Sequence, residues 1–358
     1  MTDPAINRLE ERIRAAVADR RALRIHGGGT KDFYGDAIAG DPFDVREVAG
    51  IVSYAPGELV LTARGGTPLA EIESALDAHG QILAFDPPRH GGATTLGGVV
   101  ASGLSGPRRP HAGAARDFVL GTRVIDGTGT SLAFGGQVIK NVAGFDVSRL
   151  MTGALGTLGV LTEVSLKCLP RPKAESTRVL ECDASAALRL MNEWGGRPLP
   201  ISATCFHAKR LWVRLSGAPA AVASATTIVG GQGVDGADFW DGLRNQSLDY
   251  FRPATGARAT LWRLSVRSTA PNVDWPADVM IEWGGALRWV RSETALAPEA
   301  MRAFATQHGG HATLYRSTDK SAGAFQPLPA PMMALHERLK HVFDPHRVLN
   351  PGRMYRAL

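Results

Sequence analysis

Residues 25–31 read IHGGGTK, and the three consecutive glycines decide how the first half of the chain is read. Ordered glycine costs conformational entropy, and it is kept where the backbone needs positive φ or must come close to something else. ALRI (22–25) reads as a strand ending at this turn. Neither GxGxxG after the strand nor GxxxxGK[ST] is present, so the dinucleotide fingerprint and the phosphate loop are both closed. What remains is a turn whose successive amides form an anion nest, with Thr30 able to donate a hydroxyl hydrogen bond. Taken alone, the stretch fits a purely structural tight turn just as well.

Outward from the turn, short strands alternate with helices. ELVLTA (58–63) is a strand, and Thr67 and Pro68 form an N-cap and first position for a helix with Leu69, Ile72 and Leu76 on one face. QILAF (81–85) follows as a strand. The glycine-rich run GGATTLGGVVASGLSGPRRPHAGAARD (91–117) carries hardly any strand signal; a loop that long is usually functional. FVLGTRVID and TSLAF form a hairpin about GTG (127–129), a short helix falls near 146–151, and VLTEVSLKCL (160–169) alternates as a half-buried strand. LPRPK (169–173) is the linker candidate. Beyond it come longer alternating strands, TRVLEC, LWVRLS, TLWRLSVR and ALRWVR, with helices near 184–194, 218–229 and 298–308. This order predicts an antiparallel sheet with helices on one face, as two βαββαβ units in tandem.

With 358 residues the chain fits two domains, and no apolar run of about 18 residues is present to span a bilayer. The first 25 residues carry apolar positions at helical spacing mixed with acids, which suits a native first helix in a soluble, cytoplasmic protein and neither a transit nor a signal peptide. The net charge of +6 invites a nucleic-acid reading, but 33 of the 40 basic residues are arginines scattered along the chain, and no basic stripe with stacking aromatics is seen. An anionic small molecule or an acidic partner fits better. The three cysteines, Cys168, Cys182 and Cys205, are too few for a disulfide framework or a four-cysteine iron–sulfur site.

The turn gains its sense from three further segments in order: TTLGGVVASG (94–103), ARDFVLG (115–121) and KNVAGFDVSRLMTGALGTLGVLTEV (140–164). With IHGGGTK they resemble the FAD-binding domain of the vanillyl-alcohol oxidase and p-cresol methylhydroxylase superfamily, over roughly residues 20–172. The resemblance implies an α+β fold: a two-part flavin-binding domain of the p-cresol methylhydroxylase type (1–172), a smaller antiparallel α+β domain (173–330), and a C-terminal helix and tail (331–358) packing back on the first. It implies non-covalent FAD, because attached members often have histidine where Thr30 stands. Residue by residue it gives the pyrophosphate to Gly27, Gly28, Gly29 and Thr30. It gives the flavin and ribityl chain to the DPPRH segment with Pro87, to Thr95, Leu96, Gly97 and Gly98, and to Ala101, Ser102 and Gly103. Asp117 and Val119 fall on the adenine side, and Gly156, Thr157, Gly159 and Val160 pass the isoalloxazine or phosphates. The ending HVFDPHRVLNPGRMY (341–355) is similar to the FDPxxxLNPG ending of the superfamily, with Asn350 and Arg353 unassigned.

Two departures bear on activity. Catalytic relatives usually read GSEGTLG where this chain reads GALGTLG (153–159), so Leu155 replaces a glutamate. The paired histidines and GEHG segment of hydroxy-acid dehydrogenases are missing, and Tyr315, Arg316, His311 and Lys320 are the groups left for substrate, with no motif to select them. No catalytic residue or metal ligand is therefore assigned. The chain most resembles the accessory FAD-binding subunits of bacterial glycolate oxidases, which implies a larger FAD-binding subunit and an iron–sulfur subunit as partners, glycolate handled by the complex, and peripheral association with the inner membrane through it. The alternative is a self-sufficient FAD-dependent oxidoreductase acting on a small hydroxy acid or alcohol.

Overall fold

The computed structural model describes residues 3–37, 39–136, 146–252 and 259–358; the beginning of the third flavin-like segment, 140–145, lies outside the described residues. The chain divides into two compact units. One comprises Met1–Leu104, Ala114–Pro170 and Pro327–Leu358, the other Ser105–Gly113 and Arg171–Gln326.

The first unit opens with helix α1 (Pro4–Ala18), started by Asp3, whose side chain accepts from the Ala5 amide, and by proline at the first helical position. Leu9, Ile13 and Ala16 recur at helical spacing and are buried. They share a core with Leu23 and Phe43 of the parallel pair β1 (Leu23–His26) and β2 (Asp41–Asp44), and with Val348 and Leu349 from the C-terminal tail. Next come β3 (Ile51–Ala55), β4 (Val60–Arg64), α2 (Leu69–Asp77), the two-residue β5 (Gln81–Ile82) and α3 (Leu96–Ser102). After the short helix α4 (Arg109–Ala112), which belongs to the second unit, follow β6 (Val119–Ile125), β7 (Ser131–Gly135), α5 (Val147–Met151), β8 (Val160–Lys167) and β9 (Leu169–Pro170). Strands β3-β4-β8-β6-β7 form one antiparallel sheet in that order.

Three local expectations are corrected here. The QILAF strand stops at Ile82, because Leu83, Ala84 and Phe85 are buried as an irregular apolar run with no ladder. Thr67 does not cap α2; its hydroxyl is spent on the Gly50 amide and carbonyl, and Pro68 precedes the first helical residue. The run 91–117 is no open loop, since α3 sits inside it, capped by Thr95 and stopped by Gly103 at φ 61°. Low helix propensity hid it. Gly97 is needed there because a Cβ would come within 3.0 Å of the Gly65 carbonyl.

The second unit contains β10 (Ala174–Glu181), α6 (Ala184–Gly195), β11 (Ile201–His207), β12 (Arg210–Gly217), α7 (Pro219–Val229), β13 (Gln232–Val234), α8 (Ala237–Asn245), β14 (Thr260–Ser265), β15 (Asp278–Glu282), β16 (Leu287–Ser292), α9 (Pro298–Gln307) and β17 (His311–Ser317). The last helix, α10 (Ala330–Phe343), returns to the first unit. All eight strands join one sheet in the order β13-β10-β12-β11-β15-β16-β14-β17. Its two halves mirror one another, each with the strand order of a βαββαβ unit, and they meet at the antiparallel β11–β15 pair. The second half lacks the first helix, since 266–277 is irregular. The molecule is therefore α+β.

Glu282, at the end of β15, is fully enclosed and accepts a 2.6 Å bond from the Trp289 indole. Burial pushes its carboxyl up to about 7, against the Trp289 hydrogen bond and Arg263, which favour the charged form. The folded protein thus holds a proton that the unfolded chain releases near 4.5. The resulting stabilisation is complete below that value and is lost as pH rises through about 7, amounting to about 3 kcal/mol. Glu282→Gln, which keeps an acceptor for Trp289, should flatten the fall in melting temperature between pH 5 and 8. An unchanged slope would show that Glu282 is not the group responsible.

Candidate functional site

β1 delivers the triple-glycine turn, and the C-terminal tail fixes where β1 ends. The Leu23 amide donates to Val348 O at 2.7 Å, Asn350 N donates to Leu23 O at 3.0 Å, and the Ile25 amide donates to Asn350 Oδ1 at 2.7 Å. The same Asn350 side chain donates to Leu155 O at 2.7 Å. One residue therefore ties together β1, the loop before β8 and the chain end. Gly156, at φ 72°, is glycine for this reason too: a Cβ would lie 2.7 Å from Asn350 Nδ2.

The glycines themselves have a different cause from the one the sequence suggests. A Cβ on Gly28 would lie 1.6 Å from the Ala93 carbonyl oxygen, and one on Gly27 would lie 2.4 Å from Thr95 Oγ1. Their space is taken by the protein's own 93–95 segment, not reserved for a ligand. Only Gly29, at φ 67°, occupies the left-handed region. The functional consequence is in the amides: those of Gly28, Gly29 and Thr30 donate to no acceptor among the described residues. Such a row of unspent donors is what an anionic group completes.

The turn borders a cleft of about 240 Å³ inside the first unit, lined by Arg24, Ile25, His26, Gly27, Gly28, Gly29, Thr30, Lys31, Asp32, Ala37, Thr95, Gly98, Ala101, Ser102, Leu155, Asn350 and Arg353. Cations outnumber acids on this wall. Burial pulls the Lys31 ammonium down to about 8, and its Nζ has Thr30 Oγ1 at 3.5 Å. The Thr30 hydroxyl also meets that of Thr94 at 2.9 Å. Arg353 donates to the carbonyls of Lys31, Asp32 and Asp36, clamping the segment after the turn. Burial lowers its pKa from the ordinary arginine value, while Asp32 and Asp36 act against that.

Beneath the cleft lies a buried ion pair. Lys340 on α10 donates to Asp344 Oδ2 at 2.7 Å, Thr157 O at 2.8 Å and Leu349 O at 2.8 Å, while Asp344 also accepts from the amides of Val348 and Leu349. Both side chains are at most 1% exposed. The pair pins the LNPG turn and the 155–157 loop to each other.

Eight of the residues assigned from sequence line the cleft: Gly27, Gly28, Gly29, Thr30, Thr95, Gly98, Ala101 and Ser102. The others lie about the same unit. Leu96 is fully buried, Gly97 abuts Gly65, and Gly103 abuts the Gly153 backbone. Pro87 is buried in the connection after β5. Asp117 is exposed and accepts from the Ala114 amide. Val119 and Val160 are buried on adjacent strands, Thr157 is 3% exposed with its hydroxyl on Ala154 O, and Gly159 approaches Ile125 O. Residues the sequence left unassigned also reach the cleft. Lys31 and Asp32 directly follow the turn, whereas Asn350 and Arg353 arrive from more than 300 residues away, and the FDPxxxLNPG ending was their signal. Among the described residues no three His, Cys, Asp or Glu side chains converge as metal ligands. Tyr315, in the second unit, is fully buried with its hydroxyl oxygen accepting from Gln246 Nε2, so it is not a free group for substrate.

Residues 6–135 match the FAD binding domain family. Glycolate oxidase subunit GlcE of Escherichia coli (strain K12) is 48% identical over 350 residues, covering 98% of this chain and 97% of that protein. Glycolate oxidase subunit GlcD of Bacillus subtilis (strain 168) is 33% identical over 119 residues, 33% of this chain and 25% of that one. Among solved structures, substrate-bound p-cresol methylhydroxylase superposes with a TM-score of 0.69 at 14% identity, covering 98% of this chain and 87% of that one. At that identity the likeness establishes the fold.

Proposed function

From the premise that the chain belongs to the family of glycolate oxidase subunit GlcE, we propose that it serves as the FAD-binding subunit of a glycolate oxidase, which converts glycolate to glyoxylate. The observation carrying this reading is the correspondence along almost the full length of both chains, joined to a turn whose amides at Gly28, Gly29 and Thr30 find no acceptor among the described residues. The donor set suits the cofactor: unspent amides and a hydroxyl for a diphosphate, and small residues along α3 for a planar ring. Gly27, Gly28, Gly29 and Thr30 would hold the diphosphate, and Thr95, Gly98, Ala101 and Ser102 would border the flavin. Pro87, Leu96, Gly97, Gly103, Asp117, Val119, Gly156, Thr157, Gly159 and Val160 would shape the remaining walls through backbone and packing. When bound, FAD supplies a two-electron acceptor for oxidation of the hydroxy acid.

We assign the chain an accessory or electron-transferring part in a complex with a GlcD-like flavoprotein and an iron–sulfur subunit, and attachment to the membrane through that complex. No described helix is long and apolar enough to cross a membrane. Glycolate oxidation needs the hydroxyl proton removed while the substrate carbon is held in place. No residue of this chain is arranged with a motif for that task.

Three measurements test the reading. The native complex should purify with both partners, and acid precipitation should release this chain's flavin to the supernatant; flavin left in the pellet would overturn the non-covalent assignment. Anaerobic addition of excess glycolate to the isolated, FAD-loaded chain should leave the oxidised-flavin absorbance unchanged, and the colour should fade only with the GlcD-like subunit present. Rapid fading without a partner would favour a self-sufficient oxidoreductase.

A further inference from the structure

Accepting FAD as the occupant of the cleft, we propose that Lys31 is the side-chain counter-charge of the dinucleotide diphosphate. Three observations lead there. Lys31 directly follows the turn whose amides at Gly28, Gly29 and Thr30 have no acceptor among the described residues. Among the described residues its Nζ donates one hydrogen bond, a long one of 3.5 Å to Thr30 Oγ1, and pairs with no carboxylate. It lines the cleft itself. Lys31 is half-buried, and a partly desolvated cation without a counter-anion is costly, so a fold retains one where a ligand brings the missing charge.

Arg353, the neighbouring cation held by protein groups, does not fill that role. Asp32 and Asp36 act on Arg353, whose guanidinium is spent on three carbonyls of the 31–36 segment. Arg24 and His26 share the wall and add positive character, with His26 Nδ1 3.2 Å from Gly27 O. Of these cations, Lys31 is the one that desolvation has brought to about 8, so near that pH about half of the empty protein lacks the proton. A dianionic diphosphate beside it favours the charged form. Binding at pH 8 should therefore take up about half a proton per chain, while binding at pH 6.5 takes up almost none. Above pH 8 the affinity should drop, approaching tenfold per pH unit.

The test uses the full-length chain freed of flavin, titrated calorimetrically with FAD at pH 6.5, 8 and 9 in pairs of buffers that differ in ionisation heat. The wild type should show the uptake at pH 8. Lys31→Met should abolish it and weaken FAD at least tenfold, whereas Lys31→Arg should recover affinity without uptake, which separates lost charge from lost folding. ADP, carrying the diphosphate without the ring, should reproduce the uptake; riboflavin, carrying the ring without phosphate, should not. Equal affinity of Lys31→Met and wild type would overturn the proposal. So would uptake driven by riboflavin, or uptake removed by His26→Asn and kept by Lys31→Met. A wild type that binds no FAD at any pH would overturn this proposal together with the cofactor reading beneath it.

Discussion

Gly28→Val is expected to purify without flavin and to bind added FAD at least 100-fold more weakly than wild type, equivalent to about 2.7 kcal/mol. The new Cβ would sit 1.6 Å from the Ala93 carbonyl oxygen and 2.4 Å from its carbon. Neither is the movable end of a side chain, so the 93–95 backbone must shift. That shift carries Thr95, the cap of α3, and with it the wall formed by Gly98, Ala101 and Ser102. Because the clash is with protein, the flavin-free variant should also melt earlier, by about 4–10 °C, for an overpacking cost of about 1–3 kcal/mol. This distinguishes two reasons for the glycine. If it were kept only to admit the ligand, the flavin-free variant would melt with the wild type and lose affinity alone. Gly92→Ala, one residue before Ala93, has no neighbour within 4 Å of its new Cβ and should be neutral. Retention of normal flavin content by Gly28→Val would sink the packing argument.

Lys340→Met should cost about 3–5 kcal/mol of stability, since it strands the Asp344 carboxylate at 0% exposure and removes the donor shared by Thr157 O and Leu349 O. The loss should reach the cleft. Leu349 adjoins Asn350, and Asn350 fixes both Ile25 and Leu155. Flavin content should fall along with a melting temperature lowered by about 10 °C. Adding Asp344→Asn should recover part of the stability by removing the uncompensated charge, though not the contacts that Lys340 made. A Lys340→Met protein melting within a degree of wild type would show that the pair is not what holds the tail.

Much of the first unit was legible because its signals are local. α1, β6 with β7, α5 and β8 follow from periodicity and turn residues within a few positions. Half of the second unit's strands, β10, β12, β14 and β16, alternate strongly enough to be found, whereas β11, β13, β15 and β17 were missed. β11 is buried at nearly every position, so it shows no alternation to detect. α3 was hidden by Gly97 and Gly98, which helix propensity disfavours, although close packing against Gly65 demands the first of them.

The sequence by itself determined the fold class, the cofactor family and the position of the glycine turn, because the family resemblance that carries them rests on short segments that keep their order along the chain. It also limited the chemistry, through Leu155 in the GALGTLG segment and the lack of a GEHG segment. Only the tertiary structure decided why the glycines are there and which distant residues complete the cleft. Gly27 and Gly28 answer to Ala93 and Thr95, and the cleft is finished by Asn350 and Arg353 from the far end of the chain. Close approach of backbones and burial of a charge are set by parts of the chain that meet only on folding, so no local pattern records them.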